Sequence, residues 1–143
     1  MNIYFLLHDD ARAELSRSHA PSGMPLKDDI VMCGNERDCL AWFRPISPEC
    51  DLLWVWVAPQ KRNTGLGTVF LKNCCVQLFQ NHEITEIFCE VRLSNCIAIK
   101  LYCCLGFSIE GIRKQYYVDK VTGYREDAYV MKLNMEQSLL YNF

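Results

Sequence analysis

Leu52-Leu53-Trp54-Val55-Trp56-Val57, followed shortly by Arg62-Asn63-Thr64-Gly65-Leu66-Gly67 and then by Thr68 to Phe79, decides the fold of this chain. The first run is continuously apolar and rich in β-formers, the pattern of a buried strand. The last is helix-like, with Val69, Lys72, Val76 and Phe79 near one face and Phe70, Leu71, Cys74, Cys75 and Leu78 forming a second apolar surface. Between them lies a turn with two glycines. A strand that passes through such a turn into a helix N-terminus is a ready anion site. Glycine lets the backbone come close, the first N–H groups of the helix lack partners, and the dipole favours negative charge.

Working outward, 143 residues suit one domain, and a hydrophobic half of the composition suffices for a single core. The net charge of -2 argues against nucleic-acid binding driven by phosphate neutralisation. A small basic patch, Lys61, Arg62 and Lys72, fits a phosphate-bearing ligand better. No apolar run reaches the ~20 residues of a membrane span. The first ten residues lack a basic stretch and include Asp9 and Asp10, unlike a signal peptide, so a cytoplasmic protein is expected. Nine cysteines, without a C-x-x-C pair or zinc-like Cys/His spacing, predict buried thiols and neither a disulfide framework nor a metal site. Cys96 and Cys103 are the candidates for a reactive thiol.

Asp9 or Asp10 is expected to cap a short helix from Ala11 to about Arg17, with a Pro/Gly loop after it. Ile30–Cys33 and Cys39–Phe43 read as strands around a turn at Gly34–Asp38. Pro45, Pro48 and Glu49 fall in the next connection. Thr85–Val91 alternates as a strand. Ser94 or Asn95 caps a helix with Ile97, Leu101 and Cys104 on its core side, ended by Gly106. Phe107–Val118 and Asp127–Leu133 are two further strands about a turn at Thr122-Gly123. The order β-hairpin, β, α, β, α, β, β predicts a mixed α/β sheet covered by helices.

Glu90-Val91-Arg92-Leu93-Ser94-Asn95-Cys96-Ile97-Ala98-Ile99-Lys100-Leu101-Tyr102-Cys103-Cys104-Leu105-Gly106-Phe107 then resembles the E-V-R-x-S-N-x-x-A-I-x-L-Y-x-x-L-G-F run of the GNAT superfamily of acetyltransferases. Gly111-Ile112-Arg113-Lys114-Gln115-Tyr116-Tyr117, Gly123, Arg125-Glu126-Asp127-Ala128 and Met131 extend the match toward its RimI type, whose members acetylate the N-terminal α-amino group of a ribosomal protein. The resemblance runs from about Leu52 to Leu133. It implies a single GNAT domain over 1–143, with 52–133 as the acetyl-CoA-binding and catalytic core and 1–50 as an acceptor-side part that matches poorly. Members of this type carry two helices before the glycine motif, and here one short helix is expected. Thr68 also stands where a basic residue is common.

The same resemblance assigns roles. The pyrophosphate of acetyl-CoA would lie on the backbone of Asn63, Thr64, Gly65, Leu66, Gly67 and Thr68, with Arg62 adding charge. The pantetheine arm would pair with Val55, Trp56 and Val57, where a bulge parts two parallel strands. Trp54 and Trp56 are core residues or, for one of them, a wall of the acceptor pocket. Glu90 would be the general base, with pairing to Arg92 or Arg113 as its competing role. Tyr102 would serve the leaving thiolate, and Asn95 would cap its helix and touch the cofactor. Arg113, Tyr116 and Tyr117 would line the acceptor side, and Glu110 and Asp127 could hold a cationic N-terminus. The expected acceptor is a protein or peptide N-terminus. A small amine (antibiotic, polyamine or amino acid) is the alternative, and a non-catalytic acyl-CoA-binding module is the reading from another class. An aminoacyl-tRNA acceptor is disfavoured by the missing basic surface. Met135–Phe143 has two readings, a cover for the sheet edge and a homodimer contact.

Overall fold

The computed structural model describes residues 2–20 and 25–136. Its elements are β1 (Ile3–Phe5), α1 (His8–Arg17), β2 (Ile30–Gly34), β3 (Cys39–Ile46), β4 (Glu49–Val57), α2 (Leu66–Asn81), β5 (Glu86–Arg92), α3 (Cys96–Leu105), β6 (Ser108–Val118) and β7 (Arg125–Asn134), with a short 3₁₀ turn at Pro59–Lys61. One seven-stranded sheet runs in the order β1-β2-β3-β4-β5-β7-β6. Every neighbouring pair is antiparallel except β4 and β5, which are parallel.

Two apolar clusters sandwich the sheet. On one face α2 and α3 bury Phe70, Leu71, Cys74, Cys75, Leu78 and Leu105 against Ala41, Phe43, Cys50, Leu52, Ile87 and Met131. Each fully buried Phe or Leu of this set contributes roughly 1.5–3 kcal/mol by leaving water. On the other face α1 lays Ala11 and Leu15 against Val31, Cys33, Leu40 and Trp42, with Leu53, Trp54 and Trp56 packed around them. Trp54 donates to the Ser18 hydroxyl at 3.0 Å, and Arg17 stacks over the Trp56 ring at 4.9 Å. Both tryptophans thus do core work against α1.

Several elements differ from expectation. Strand β1 carries no alternation signal in three residues and exists because it pairs with β2. Helix α1 starts three residues early. Leu7 takes the N-cap position, and Asp9 and Asp10 lie in the first turn, where the dipole favours acid. Pro45 belongs to β3 and Glu49 to β4, so the connection shrinks to Ser47-Pro48. The core side of α3 is Tyr102 and Leu105, with Ala98, Ile99 and Leu101 against it. Ile97 is 81% exposed and Cys104 faces solvent, because the helix is rotated to seat the tyrosine. Six cysteines are buried and Cys96, Cys103 and Cys104 are exposed, all as free thiols. Burial pushes the Cys39 and Cys50 thiols up to about 12, which makes them inert. Of the tail from Met135, residues 137–143 lie outside the described residues.

Candidate active site

The parallel pairing of β4 and β5 lasts only from Glu49↔Glu86 to Leu52↔Cys89. Beyond that rung β5 continues to Arg92 paired with β7 alone, while β4 follows β3. The cause is a bulge. Trp42 pairs with Trp54, but Phe43 pairs with Leu52, leaving Leu53 as the extra residue. It also shifts the phase of the strand, so that Val55 and Val57 pack toward α2 and Trp54 and Trp56 toward α1. The bulge expected at Val55–Val57 therefore sits at Leu53, and those three residues form the strand that has swung free of β5.

At the far end of β4 the chain turns into α2. Asn63 has φ 60, and Gly65 has φ 82 in the left-handed region, where glycine is strain-free. Gly67 is needed for another reason. A Cβ there would come 3.2 Å from Val57 Cγ2, so the glycine lets the helix start close against the strand. Among the described residues, the backbone N–H groups of Thr64, Gly65, Gly67 and Thr68 have no acceptor, and the Leu66 N–H has only a 3.4 Å contact to the Thr64 hydroxyl. No side chain caps this helix. Arg62 donates through Nε to the Val57 carbonyl at 2.9 Å, which ties the turn to the strand, and Lys61 pairs loosely with Glu36 at 3.9 Å.

Glu90 is the first residue of β5 past the last rung shared with β4. Arg113 Nε forms an ion pair with its Oε1 at 2.8 Å. The Tyr117 hydroxyl donates to its carbonyl oxygen at 3.1 Å. Tyr116 lies beside its carboxylate, and that interaction is the main reason that the phenol's pKa is raised. The two tyrosine rings meet edge-on at 5.0 Å, Arg113 lies over Tyr116 at 5.6 Å and Arg92 over Tyr117 at 4.3 Å. Register breaks in β6 gather these groups. Arg113 pairs with Ala128 but Tyr117 with Glu126, and Gln115 between them has φ 51. Asp127 holds that bulge by accepting the Gln115 N–H at 2.8 Å. On the other side of the sheet, Tyr102 is buried against Phe107 at 5.3 Å. Burial is the largest cause of its raised pKa, so the phenol stays protonated across neutral pH.

Two clefts, of about 430 and 610 Å³, lie at the β2–β3 turn, the larger reaching Thr64, Gly65 and Leu66. Neither is lined by Glu90 or Tyr102.

The acetyltransferase (GNAT) family model matches residues 32–107, from β2 through the end of α3. The chain belongs to the GNAT family. It is 38% identical over 85 residues to the ribosomal protein bS18-alanine N-acetyltransferase of Escherichia coli, an alignment covering 59% of this chain and 55% of that enzyme. An N-alpha-acetyltransferase of Sulfurisphaera tokodaii is 37% identical over 75 residues, 52% of this chain and 42% of that one. The chain thus spans about half the length of the curated relatives it matches. In three dimensions the likeness is wider. The crystal structure of the Escherichia coli S18-alanine acetyltransferase covers 94% of this chain and 93% of its own, with a TM-score of 0.75 and 26% identity. A spermidine/spermine N-acetyltransferase from Vibrio cholerae has a TM-score of 0.78 at 15% identity, covering 99% and 95%, and shares the fold alone.

The GNAT frame puts the expected residues into three groups. The glycine turn and the freed half of β4 are together, and open N–H groups beside a packed glycine suit a pyrophosphate. Glu90, Arg113, Tyr116 and Tyr117 form a second group. Tyr102 belongs to the opposite face of the sheet, packed in the same apolar cluster as Cys89 and Val91 of β5. Asn95 stands apart, because its Oδ1 accepts the Ala98 N–H at 3.2 Å and so caps α3. Glu110 and Asp127 are occupied elsewhere. Glu110 pairs with Lys132 at 3.6 Å, and Asp127 with Lys114 at 3.4 Å. Glu126 is structural too. It accepts the Ser94 N–H at 2.7 Å, and its bonds to Ser94 hold its carboxyl below the usual range. Sequence reasoning missed Asp51, the last outward residue of β4 before the bulge. A polar residue interrupting the apolar run Cys50 to Val57 was its only signal.

Proposed function

We propose that this GNAT protein transfers the acetyl group of acetyl-CoA to a primary amine, and that the amine is the N-terminal α-amino group of a protein or peptide. The position of Glu90 carries this: a carboxylate stands at the first residue past the point where β4 and β5 part, paired through Oε1 with Arg113 and beside Tyr116. Relatives named for protein N-terminal acetylation align at 36–38% identity, which supports the acceptor class. An α-ammonium has a pKa of about 8, so a proton must leave before attack. Acetyl-CoA supplies, when bound, a thioester already activated towards an amine. Asn63 to Thr68 hold its pyrophosphate, with Arg62 beside them, and the free edge of Val55, Trp56 and Val57 orients its arm. Glu90 takes a proton from the ammonium, and the freed amine then attacks the thioester carbonyl to form the C–N bond. Tyr102, protonated at working pH, donates to the sulfur as the C–S bond breaks. Arg113, Tyr116 and Tyr117 shape the acceptor side, and positioning supplies the rest of the rate.

Release of free CoA thiol with a panel of Ala- and Ser-initiated peptides, spermidine and an aminoglycoside tests this. Peptide-dependent turnover should fall about 10²–10³-fold in Glu90→Gln, with acetyl-CoA affinity retained. Turnover with small amines alone would keep the mechanism and reject the peptide. Binding of acetyl-CoA without turnover on any acceptor would favour a binding module.

A further inference from the structure

Asp51 occupies a position that the mechanism above does not use. It pairs in register with Phe88, and Glu90 lies two residues further along β5. Side chains two apart on a strand share a face, so Asp51 and Glu90 project from the same side of the sheet as diagonal neighbours across the last rungs before the gap. The Asp51 carboxylate has no hydrogen bond or ion pair within 4 Å among the described residues, the contact from Cys50 Sγ being to its backbone carbonyl. Its nearest cations are committed elsewhere. Arg44, opposite it on β3, holds Asp29 through two bonds of 2.9 Å, and Arg113 on β6 holds Glu90. Asp29 is an instructive contrast. Burial opposes its charge, yet Arg44, the Leu26 N–H and Trp42 outweigh this and hold its carboxyl below the usual range. Asp51 receives no such bonds, and burial, Glu90 and Glu49 together push its carboxyl up against the weaker pull of Arg44 and Arg113.

An exposed, unpaired carboxylate beside a second carboxylate, at the rim of the gap, carries a modest repulsion in the empty protein. A cation arriving there relieves it. We infer that Asp51 is a positioning residue that holds the ammonium form of the acceptor at the mouth of the gap, within reach of Glu90. The inference rests on the acyl-transfer reading of the site. It makes the acceptor a cation on arrival and gives recognition and deprotonation to different carboxylates. Glu49, two residues back on the same face of the strand and away from the gap, adds to the negative potential at Asp51, so an acceptor with a further positive charge near its reacting amine is favoured over a neutral one.

The test is steady-state kinetics of wild type, Asp51→Asn and Asp51→Glu on the preferred amine, with acetyl-CoA varied separately. Asp51→Asn should raise the acceptor KM about tenfold, the size expected for one charge-assisted contact at a partly exposed site, and leave kcat and the KM for acetyl-CoA nearly unchanged. Added salt should raise the wild-type acceptor KM and move that of Asp51→Asn less. The pH sign follows from the raised pKa. As pH falls, Asp51 is neutralised sooner than an ordinary aspartate, so the wild-type acceptor KM climbs on the acid side, and that step is absent in Asp51→Asn. Asp51→Glu should restore most of the affinity. The groups that face Asp51 and shape the profile are Glu49, Arg44, Glu90, Arg113 and Tyr116. Asp51→Asn should also melt no lower than wild type, because removing the charge relieves repulsion. An unchanged acceptor KM in Asp51→Asn, or a fall in kcat and melting temperature together, overturns the inference. A wild-type protein that transfers to no amine overturns the acyl-transfer reading and this inference with it.

Discussion

The two strands that part at the gap each run into a helix, and the two helix starts are built in opposite ways. Strand β5 leads to α3, whose first turn is closed. Asn95 accepts the Ala98 N–H, the Ile99 N–H bonds the Asn95 carbonyl at 3.0 Å, and Glu126 takes the Ser94 N–H just before the helix. Strand β4 leads to α2, which starts on a left-handed glycine with no side-chain cap and leaves the N–H groups of Thr64, Gly65, Gly67 and Thr68 without acceptors. Both termini carry the same dipole. What separates them is whether the protein satisfies its own donors. A helix start beside a cleft becomes an anion site when its donors are left over.

The strongest way to break this contrast is Gly67→Val. The new side chain meets Val57 and lifts the start of α2 off the strand. Overpacking of this kind costs about 1–3 kcal/mol, and taken from the bound geometry it would weaken acetyl-CoA binding roughly 5- to 150-fold by calorimetry. An affinity within twofold of wild type would mean that the cofactor does not use this turn. Asn95→Ala should act on folding instead. Loss of the cap costs about 1 kcal/mol and lowers the melting temperature by roughly 2–8 °C, while acetyl-CoA affinity moves less than about threefold. A loss of affinity as large as that of Gly67→Val would give Asn95 a direct cofactor contact and erase the distinction between the two termini. Arg62→Ala is the mildest. The side chain is exposed, and its loss should weaken acetyl-CoA only about two- to fivefold, by an amount that shrinks in high salt.

The cofactor half of the fold was legible because it is local. The glycine turn, β5, α3 with its Asn95 cap and the left-handed Gly106 lie within one stretch of chain, and each has its own chemistry. The position of the bulge was less so. Leu53 is the extra residue only because Phe43 on another strand pairs with Leu52, and no property of a leucine shows that. The burial of α3 was misassigned at two of three positions for a related reason. Leu101 does pack against the core, but Ile97 and Cys104 are as apolar as the residues actually covered, and the sheet decides that Tyr102 goes inward. Glu90, Arg113, Tyr116 and Tyr117 were each visible as motif residues, but their convergence depends on a second bulge, at Gln115, held by Asp127. Asp51 gains its significance from a partner 39 positions away and from where a ladder stops. Both are properties of the pairing.

The bulge at Leu53 makes the sheet a window rather than a wall. On the acyl-transfer reading proposed above, a sheet that parts midway gives acyl donor and amine separate approaches from its two faces, so that neither displaces the other. A single molecule that joins coenzyme A to an amine through a short bridge would thread the opening and occupy both approaches together, which makes such a tethered compound the natural shape for an inhibitor of this protein.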